Sequence, residues 1–556
     1  MNARPRRGLA ASGGVAVGSA LVWGEPESGV VGGDPASALA AVAQELQRTA
    51  ERLRADGRLH EAEILEANRM MAEDPTLIAD VERLAQHRSA GEALRAATEA
   101  HAHALAALGD AMLAARATDV RQLGARAIRI LEGTGAPLAS VPSVLVARDL
   151  GPADVAELQL GRGSIEGIAL AEGAVTSHAA IIARSLGVPM VIALGEEILG
   201  LSPGATLVLD GDNGTLEIDA DQVRLAQAKR RSERDRRRKD ELSAQRALPA
   251  VTTDGHPVTL LCNASTADEV ALGLAARADG VGLLRTELAF LESAAWPTER
   301  DHLTALAPAL GLLEGRTATV RTLDFGADKT PSFLNGTNER GLALMLASPD
   351  ALAAQLRAIV ASGEKSALRI LLPLVEDAGQ VRAVRALLDG PVPLGAMIET
   401  PTAVRHADAI AAAADFLSIG TNDLVQYTLG LDRLRPLAST TTAADPEVLA
   451  LIAETVRAAH AAGRTIEVCG EAASDPAFAV LLVGLGVDEL SAAPARLDEL
   501  RATVRGISAA DAAEAARSAL AASTAEGALA PARELLLGEL RDETGKAVGG
   551  FGRIGT

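Results

Sequence analysis

Apolar residues recur every three or four positions along the early part of the chain and fall into short runs further on. Between residues 36 and 131 that spacing, with few strand formers, predicts helices. Pro75 after Glu73-Asp74 marks one helix boundary, and the stretch 133–142, from Gly133 to Pro142, ends the region. A bundle of up to four helices is expected there. Ahead of it, residues 8–23 read as strand with glycine turns. Behind it, strand character returns at 143–147, 164–170, 189–193 and 206–209, with a helix-period segment opening at His178. These pieces make a compact α/β unit. The N-terminal strand is expected to join it, which makes the helical bundle an insertion.

From residue 258 the texture changes to short apolar strands alternating with Ala/Leu-rich helices. The candidate strands are 258–262, 280–284, 318–324, 369–375, 393–398, 416–419, 465–469 and 489–491. Eight such alternations predict a (β/α)8 TIM barrel. A doubly wound open sheet is the rival, because periodicity alone cannot close a barrel. Between the two regions, 222–246 carries Lys229-Arg230-Arg231 and Arg236-Arg237-Arg238-Lys239 interleaved with Glu233, Asp235, Asp240 and Glu241. Mixed signs without aromatics read as a solvated linker helix rather than a nucleic-acid patch. The expected organisation is a multidomain α/β protein. Residues 1–34 and 143–221 form its α/β domain, 35–142 the inserted helical subdomain and 222–250 the linker helix. Residues 251–524 form the barrel, and 525–556 a tail with no assigned role.

Composition narrows the partners. A 556-residue chain has room for three or four domains. A net charge of −20 and a pI near 5.0 argue against nucleic acid as a general partner. With only Cys262 and Cys469, a disulfide framework is not expected and a reducing compartment fits. The first residues include Arg4, Arg6 and Arg7 but no apolar core of signal-peptide length, and apolar runs such as 478–487 are too short to span a bilayer. A cytoplasmic protein without direct membrane insertion is expected.

Candidate chemistry sits in two places. Ala171-Glu172-Gly173-Ala174-Val175-Thr176-Ser177-His178 follows a strand; Ser177 stands where an N-cap would, and His178 opens the helix beside free N–H groups that favour negative charge. Locally, that is as much the signature of a capping or solvated histidine as of a catalytic one. In the barrel region Arg285 follows the second strand, Arg321 and Asp324 lie on the third, and Lys329 stands just beyond. Glu399 ends the fifth strand, Asn422-Asp423 follow the sixth, and Cys469-Gly470-Glu471 end the seventh. A barrel gathers all of these on one rim, where active sites sit. Several cations with two carboxylates point to an anionic, phosphate-bearing substrate and a divalent metal, with Glu399 and Asp423 each able to give Mg²⁺ an oxygen. Cys469 reads as an acid, a nucleophile or, by default, a small buried hydrophobe. No P-loop lysine motif or dinucleotide glycine fingerprint is present to favour ATP or NAD.

The segments GLAASGGVAVGSAL, HEAEILEANRMMAEDP, GAVTSHAAIIARSLGVP, DGVGLLRTELAF, VRTLDFGADK, IETP, FLSIGTNDLVQYTLGLDR and VCGEAASDP carry a specific resemblance. The chain resembles the Enzyme I family of the bacterial phosphoenolpyruvate:sugar phosphotransferase system, over roughly residues 8–515. The resemblance implies that His178 is phosphorylated through Nε2, with Arg285 and Arg321 holding the phosphate of phosphoenolpyruvate. It implies Mg²⁺ on Glu399 and Asp423, a substrate site completed by Asn422, Asp423, Arg433, Lys329 and Arg340, and Cys469 protonating the enolate carbon as pyruvate forms. A swivelling phosphohistidine domain would then carry the group to the helical bundle, where the carrier protein HPr receives it, with the basic helix as its arm. A homodimer through the barrel is also implied. A dihydroxyacetone-kinase phosphocarrier in place of HPr stays open, as does a lapsed enzyme that only binds a carrier; the complete set of site residues argues against the lapse.

Four departures stand out. The glycine pair expected before the active histidine is Gly173-Ala174, and Val155 stands near where many relatives carry a threonine that orients the histidine. Arg340 is followed by Ala343 where a second arginine is usual, and Asp432-Arg433 by Leu434-Arg435 where Gly-Asn is usual. They bear on rate, affinity and carrier preference rather than on the core residues.

Overall fold

A computed structural model describes residues 5–538 apart from 25–32, 56–57, 107–110, 135–138, 161–163, 176, 292, 327–329, 335, 338, 389 and 432–439. Lys329, Arg433, Leu434 and the last part of the tail therefore lie outside the described residues. The chain divides into two compact units between Arg238 and Lys239.

The first unit is built on one eight-stranded sheet. Its strands are β1 (Arg6–Arg7), β2 (Leu9–Ser12), β3 (Val15–Trp23), β4 (Ser143–Ala147), β5 (Ile165–Leu170), β6 (Met190–Ile192), β7 (Thr206–Asp210) and β8 (Thr215–Ile218). Their order across the sheet is β1-β8-β7-β3-β4-β5-β6-β2. The chain leaves β3 at Trp23 and returns beside it, because β4 pairs parallel with β3 from Ser19↔Ser143 to Trp23↔Ala147. The excursion between them holds five helices: α1 (Pro35–Ala55), α2 (Leu59–Ala72), α3 (Pro75–Ala85), α4 (Ala90–Ala106) and α5 (Ala111–Glu132). Five helices correct the expected four. The breaks are chemical. Asp74 accepts the Thr76 N–H at 2.7 Å with Pro75 at the first turn of α3, and Ser89 and Glu92 exchange capping bonds ahead of α4. Along α1, Ala38, Leu39, Val42, Ala43, Leu46, Thr49, Ala50 and Leu53 are buried, the three-and-four stripe of a core-facing helix. Arg126 of α5 ties the bundle to α6 (Pro152–Leu160) by ion pairs to Asp154 at 2.8 Å, Glu45 at 2.9 Å and Glu157.

The charged segment is a helix, α8 (Gln222–Ala244), with α7 (His178–Leu186) preceding it in the sheet unit. Its Arg231 pairs with Asp210 at 2.9 Å and with Asp212 at 2.8 Å. That local pairing is the structural use of part of the basic run.

The second unit closes eight parallel strands into a barrel: β9 (Thr259–Ala264), β10 (Gly280–Leu284), β11 (Thr317–Arg321), β12 (Ala367–Leu372), β13 (Leu394–Ile398), β14 (Phe416–Ile419), β15 (Thr465–Val468) and β16 (Glu489–Ala492). β16 pairs back onto β9 from Glu489↔Thr259 to Ala492↔Cys262, which rules out the open sheet. Inside the barrel, Leu283, Leu371, Met397, Phe416 and Cys469 form one buried cluster; the other faces of the strands share a larger core with the surrounding helices. Two boundaries differ from expectation. β11 ends at Arg321, so Asp324 lies on the loop beyond it, and β15 ends at Val468, so Cys469 follows the strand. The helix Ala525–Gly538 buries Ala528, Leu529, Ala532 and Leu536 in the core it shares with the barrel.

Candidate active site

In the first unit the approach to His178 is set by small, local devices. Gly173 has φ +111°, a conformation glycine adopts freely; Ala174 is outside that region, so only the first of the expected glycine pair is required here. Arg184, from the last turn of α7, donates to the Val175 carbonyl at 3.0 Å and to Ala11 at 2.8 Å. Ser177 caps α7 as expected, its hydroxyl accepting the Ala180 N–H at 3.2 Å, and Gly187 closes the helix in the left-handed conformation. His178 is partly exposed, and its Nδ1 lies 2.9 Å from Asp119 Oδ2. A carboxylate only accepts, so Nδ1 carries the proton and Nε2 keeps its lone pair. Asp119 belongs to α5, is buried, and also meets Arg116 at 3.5 Å. Val155, the departure near the histidine, is fully buried among the apolar contacts that include Ala179 and Ala180.

In the second unit the rim is a network of buried charges. Arg321 donates to Glu287 at 2.7 Å and pairs with Asp324 at 3.4 Å. Arg340 grips Asp423 with both terminal nitrogens, at 3.0 and 3.2 Å, and reaches Asp324 at 3.4 Å. Glu399 is 2% exposed and accepts the Leu374 N–H at 2.6 Å. Gly420 is needed beside it, since a methyl there would meet Glu399 Oε2 at 2.6 Å. Thus Glu287, Asp324, Glu399 and Asp423 face Arg321 and Arg340, an acidic excess in a dry site. Burial, then Asp423 and Asp324, pushes the Glu399 carboxyl well above its usual range, while the same acids hold both arginines firmly protonated. Within this crowd Arg321 Nε, Arg340 Nε and Asp324 Oδ1 are buried with no hydrogen-bond partner among the described residues. Such donors and acceptors are costly to leave idle and are ready for an anion and a cation.

Asn422 accepts the Glu471 N–H at 3.2 Å, linking the loops after β14 and β15. Arg285 follows β10, and its guanidinium makes no hydrogen bond or ion pair among the described residues. Its neighbour Thr286 donates to the Arg321 carbonyl at 3.0 Å. Cys469 accepts from the Ser418 hydroxyl at 3.3 Å, and burial, reinforced by the charge of Glu467, pushes its thiol up to about 12. Cys262, the other cysteine, points outward: a methyl on Gly273 of the surrounding helix would sit 2.2 Å from its sulfur. Ala343 lines an open cavity of about 510 Å³ with Arg340, Thr400 and Tyr427, so the missing arginine leaves space beside the rim. Sequence reasoning missed Asp119, Glu287 and Ser418. Glu287 had a signal, an acid in Arg285-Thr286-Glu287 directly after an apolar strand; Asp119 and Ser418 had none.

A rim of buried arginines and carboxylates beside a capped, Nδ1-anchored histidine in the other unit is the equipment of a phosphoryl-transfer enzyme. Residues 7–116, 140–214 and 239–509 match, in order, the families described as the N-terminal, mobile and PEP-binding domains of PEP-utilising enzymes. The phosphoenolpyruvate-protein phosphotransferase of Streptomyces coelicolor is 37% identical, covering 96% of this chain and 99% of that one. Multiphosphoryl transfer proteins of Xanthomonas campestris and Rhodobacter capsulatus are 40% and 38% identical over 77% and 84% of this chain. This chain spans 54% and 58% of the length of those two proteins. It belongs to the phosphoenolpyruvate-protein phosphotransferase family.

Proposed function

We propose that the chain transfers the phosphoryl group of phosphoenolpyruvate to His178 Nε2, releases pyruvate, and passes the group to the carrier protein HPr as the first step of sugar uptake and phosphorylation. In this reading Arg285, Arg321 and Arg340, with Asn422, Asp423, Lys329 and Arg433, bind the substrate. The observation that carries it is the pairing of an Nδ1-anchored histidine with a buried rim whose idle guanidinium nitrogens suit phosphate and carboxylate oxygens. Phosphoryl transfer needs positioning and charge stabilisation more than covalent chemistry, and buried arginines supply both. Cys469, held as a thiol by burial, is the acid for the enolate carbon.

PEP-utilising enzymes are generally metal-dependent. Among the described residues no three histidine, cysteine or acidic side chains cluster as a self-sufficient metal cage. The acidic excess around Glu399 and the orphaned Asp324 oxygen fit a cation held by few protein ligands and by substrate oxygens, the habit of Mg²⁺. Glu399 and Asp423 would hold it, and when bound it neutralises charge on the substrate. A homodimer through the barrel and a cytoplasmic location complete the proposal; among the described residues no helix is long and apolar enough to cross a membrane.

The test is incubation of the full chain with labelled phosphoenolpyruvate and Mg²⁺. Acid-labile, base-stable label is expected on the wild type and absent from His178→Ala. An unlabelled wild type sinks the reading. Discharge onto a panel containing HPr and a dihydroxyacetone-kinase phosphocarrier identifies the acceptor.

A further inference from the structure

Below Cys469, inside the barrel, lies a second polar layer that the reaction as described does not use. Glu467 stands two residues before Cys469 on β15, so both side chains face the barrel interior. It is 0% exposed, and neither carboxyl oxygen has a hydrogen-bond partner among the described residues. Its neighbours across the ladder are Ser418 of β14 and Glu489 of β16. Arg369 of β12 approaches at 3.9 Å but is already committed: it pairs with Glu489 at 2.9 Å, donates to Thr319 at 2.9 Å, and stacks over Phe416. Room for the carboxyl comes from Gly282, where a methyl would meet Glu467 Oε1 at 2.1 Å and Ser491 Oγ at 2.5 Å. The Ser491 hydroxyl donates to Asn263 Oδ1 at 2.7 Å, so towards Glu467 it presents a lone pair, suited to an un-ionised carboxyl. An uncompensated carboxylate would be costly at such a place. Burial, with Glu489 adding to it and Arg369 opposing, pushes Glu467 far above the usual carboxyl range, so it holds its proton near neutrality.

We propose that Glu467 is an internal proton store that recharges Cys469 after each protonation of the enolate, with the Ser418 hydroxyl as the hop between them. The proposal rests on the reading of Cys469 as the acid. The balance closes. The thiol proton goes to the enolate carbon and leaves a thiolate, to which Ser418 already donates at 3.3 Å. Ser418 gives its proton to sulfur and takes one from Glu467, whose carboxylate is then met by the Arg369 guanidinium. Solvent restores the Glu467 proton between turnovers. Glu467 is a positioning and relay residue in this scheme; it touches neither substrate nor metal.

The test is rapid-quench pyruvate release from the full chain, with an excess of whichever carrier discharges His178, in wild type and Glu467→Gln. The first pyruvate per site is expected within about twofold of wild type, and later turnovers slowed by at least ~10-fold, the scale of a lost proton-transfer group. Slowing that is equal from the first turnover onward, as a merely structural role would give, overturns the proposal. So does wild-type speed throughout. Ser418→Ala carries the same expectation by an independent route should the glutamine variant fold poorly. If Cys469→Ala makes pyruvate at full rate, the acid assignment itself is removed, and this relay with it, a different failure from an unlabelled His178.

Discussion

His178 draws its chemistry from a side chain 59 positions away. The motif around it was readable because a cap, a histidine and an apolar helix sit side by side; its anchor Asp119 was not, because a helix surface gives no hint of what a later segment will bring to it. Val155 removes a hydroxyl near the histidine, yet the imidazole is still held, now from α5. Asp119→Asn is therefore expected to slow labelling of His178 by phosphoenolpyruvate about 10²-fold, since an amide fixes the wrong tautomer as readily as the right one. Rapid-quench labelling checks this, with circular dichroism confirming an unchanged fold; a rate within twofold of wild type would assign the anchoring elsewhere. The same divide separates the two cysteines. Both lie at strand ends in the sequence, and only the barrel's alternation of faces sends Cys469 inward and Cys262 out.

At the scale of elements, the eight barrel strands were legible because each is a short apolar run set off by turns. β1 and β8 escaped notice because two- and four-residue edge strands carry too little pattern. The fifth helix escaped for another reason. Ser89-Ala90-Gly91-Glu92 is a capping box, a local signal that a count of apolar spacing overlooks. Helix Glu299–Leu310 shows what no pattern reveals. Its His302 is wholly buried, edge-on to Phe290 at 4.8 Å, and both ring nitrogens lack partners among the described residues. Burial pushes this imidazole from 6.5 down to about 4. The unfolded chain then binds the proton more readily than the native one, so the contribution is intact above pH 6.5 and is lost as pH falls towards 4. The expected loss is about 3 kcal/mol, read from denaturant midpoints of the barrel unit across that range. His302→Leu should flatten the dependence; an unchanged slope would move the proton uptake to another group.

Across the whole molecule, the division at Arg238 and Lys239 falls within α8, so the two units should report their stability separately. The order of strand, helical insertion, sheet and barrel could be read from texture alone, whereas the charge balance of the rim could not. Arg340, Asp324 and Asp423 are distant in sequence, and Glu287 went unread, so the acidic excess emerges only once the barrel closes. That excess makes a specific prediction for stability. Glu399 is crowded by Asp423 and Asp324 and keeps its bond to the Leu374 N–H, which a glutamine oxygen can also accept. Glu399→Gln should therefore raise the barrel's melting temperature in metal-free buffer while abolishing labelling of His178, because function holds like charges together that stability would disperse. Added Mg²⁺ should stabilise the wild-type barrel by up to about 2.7 kcal/mol at a hundredfold excess over its dissociation constant, since it binds the native state alone. The same titration should leave the sheet unit's transition in place and should barely move the glutamine variant. Scanning calorimetry with and without Mg²⁺ resolves all of these. A barrel transition that responds equally in wild type and Glu399→Gln would place the cation away from this carboxylate, and a metal-free variant less stable than wild type would mean that Glu399 is held by more than the structure's two arginines.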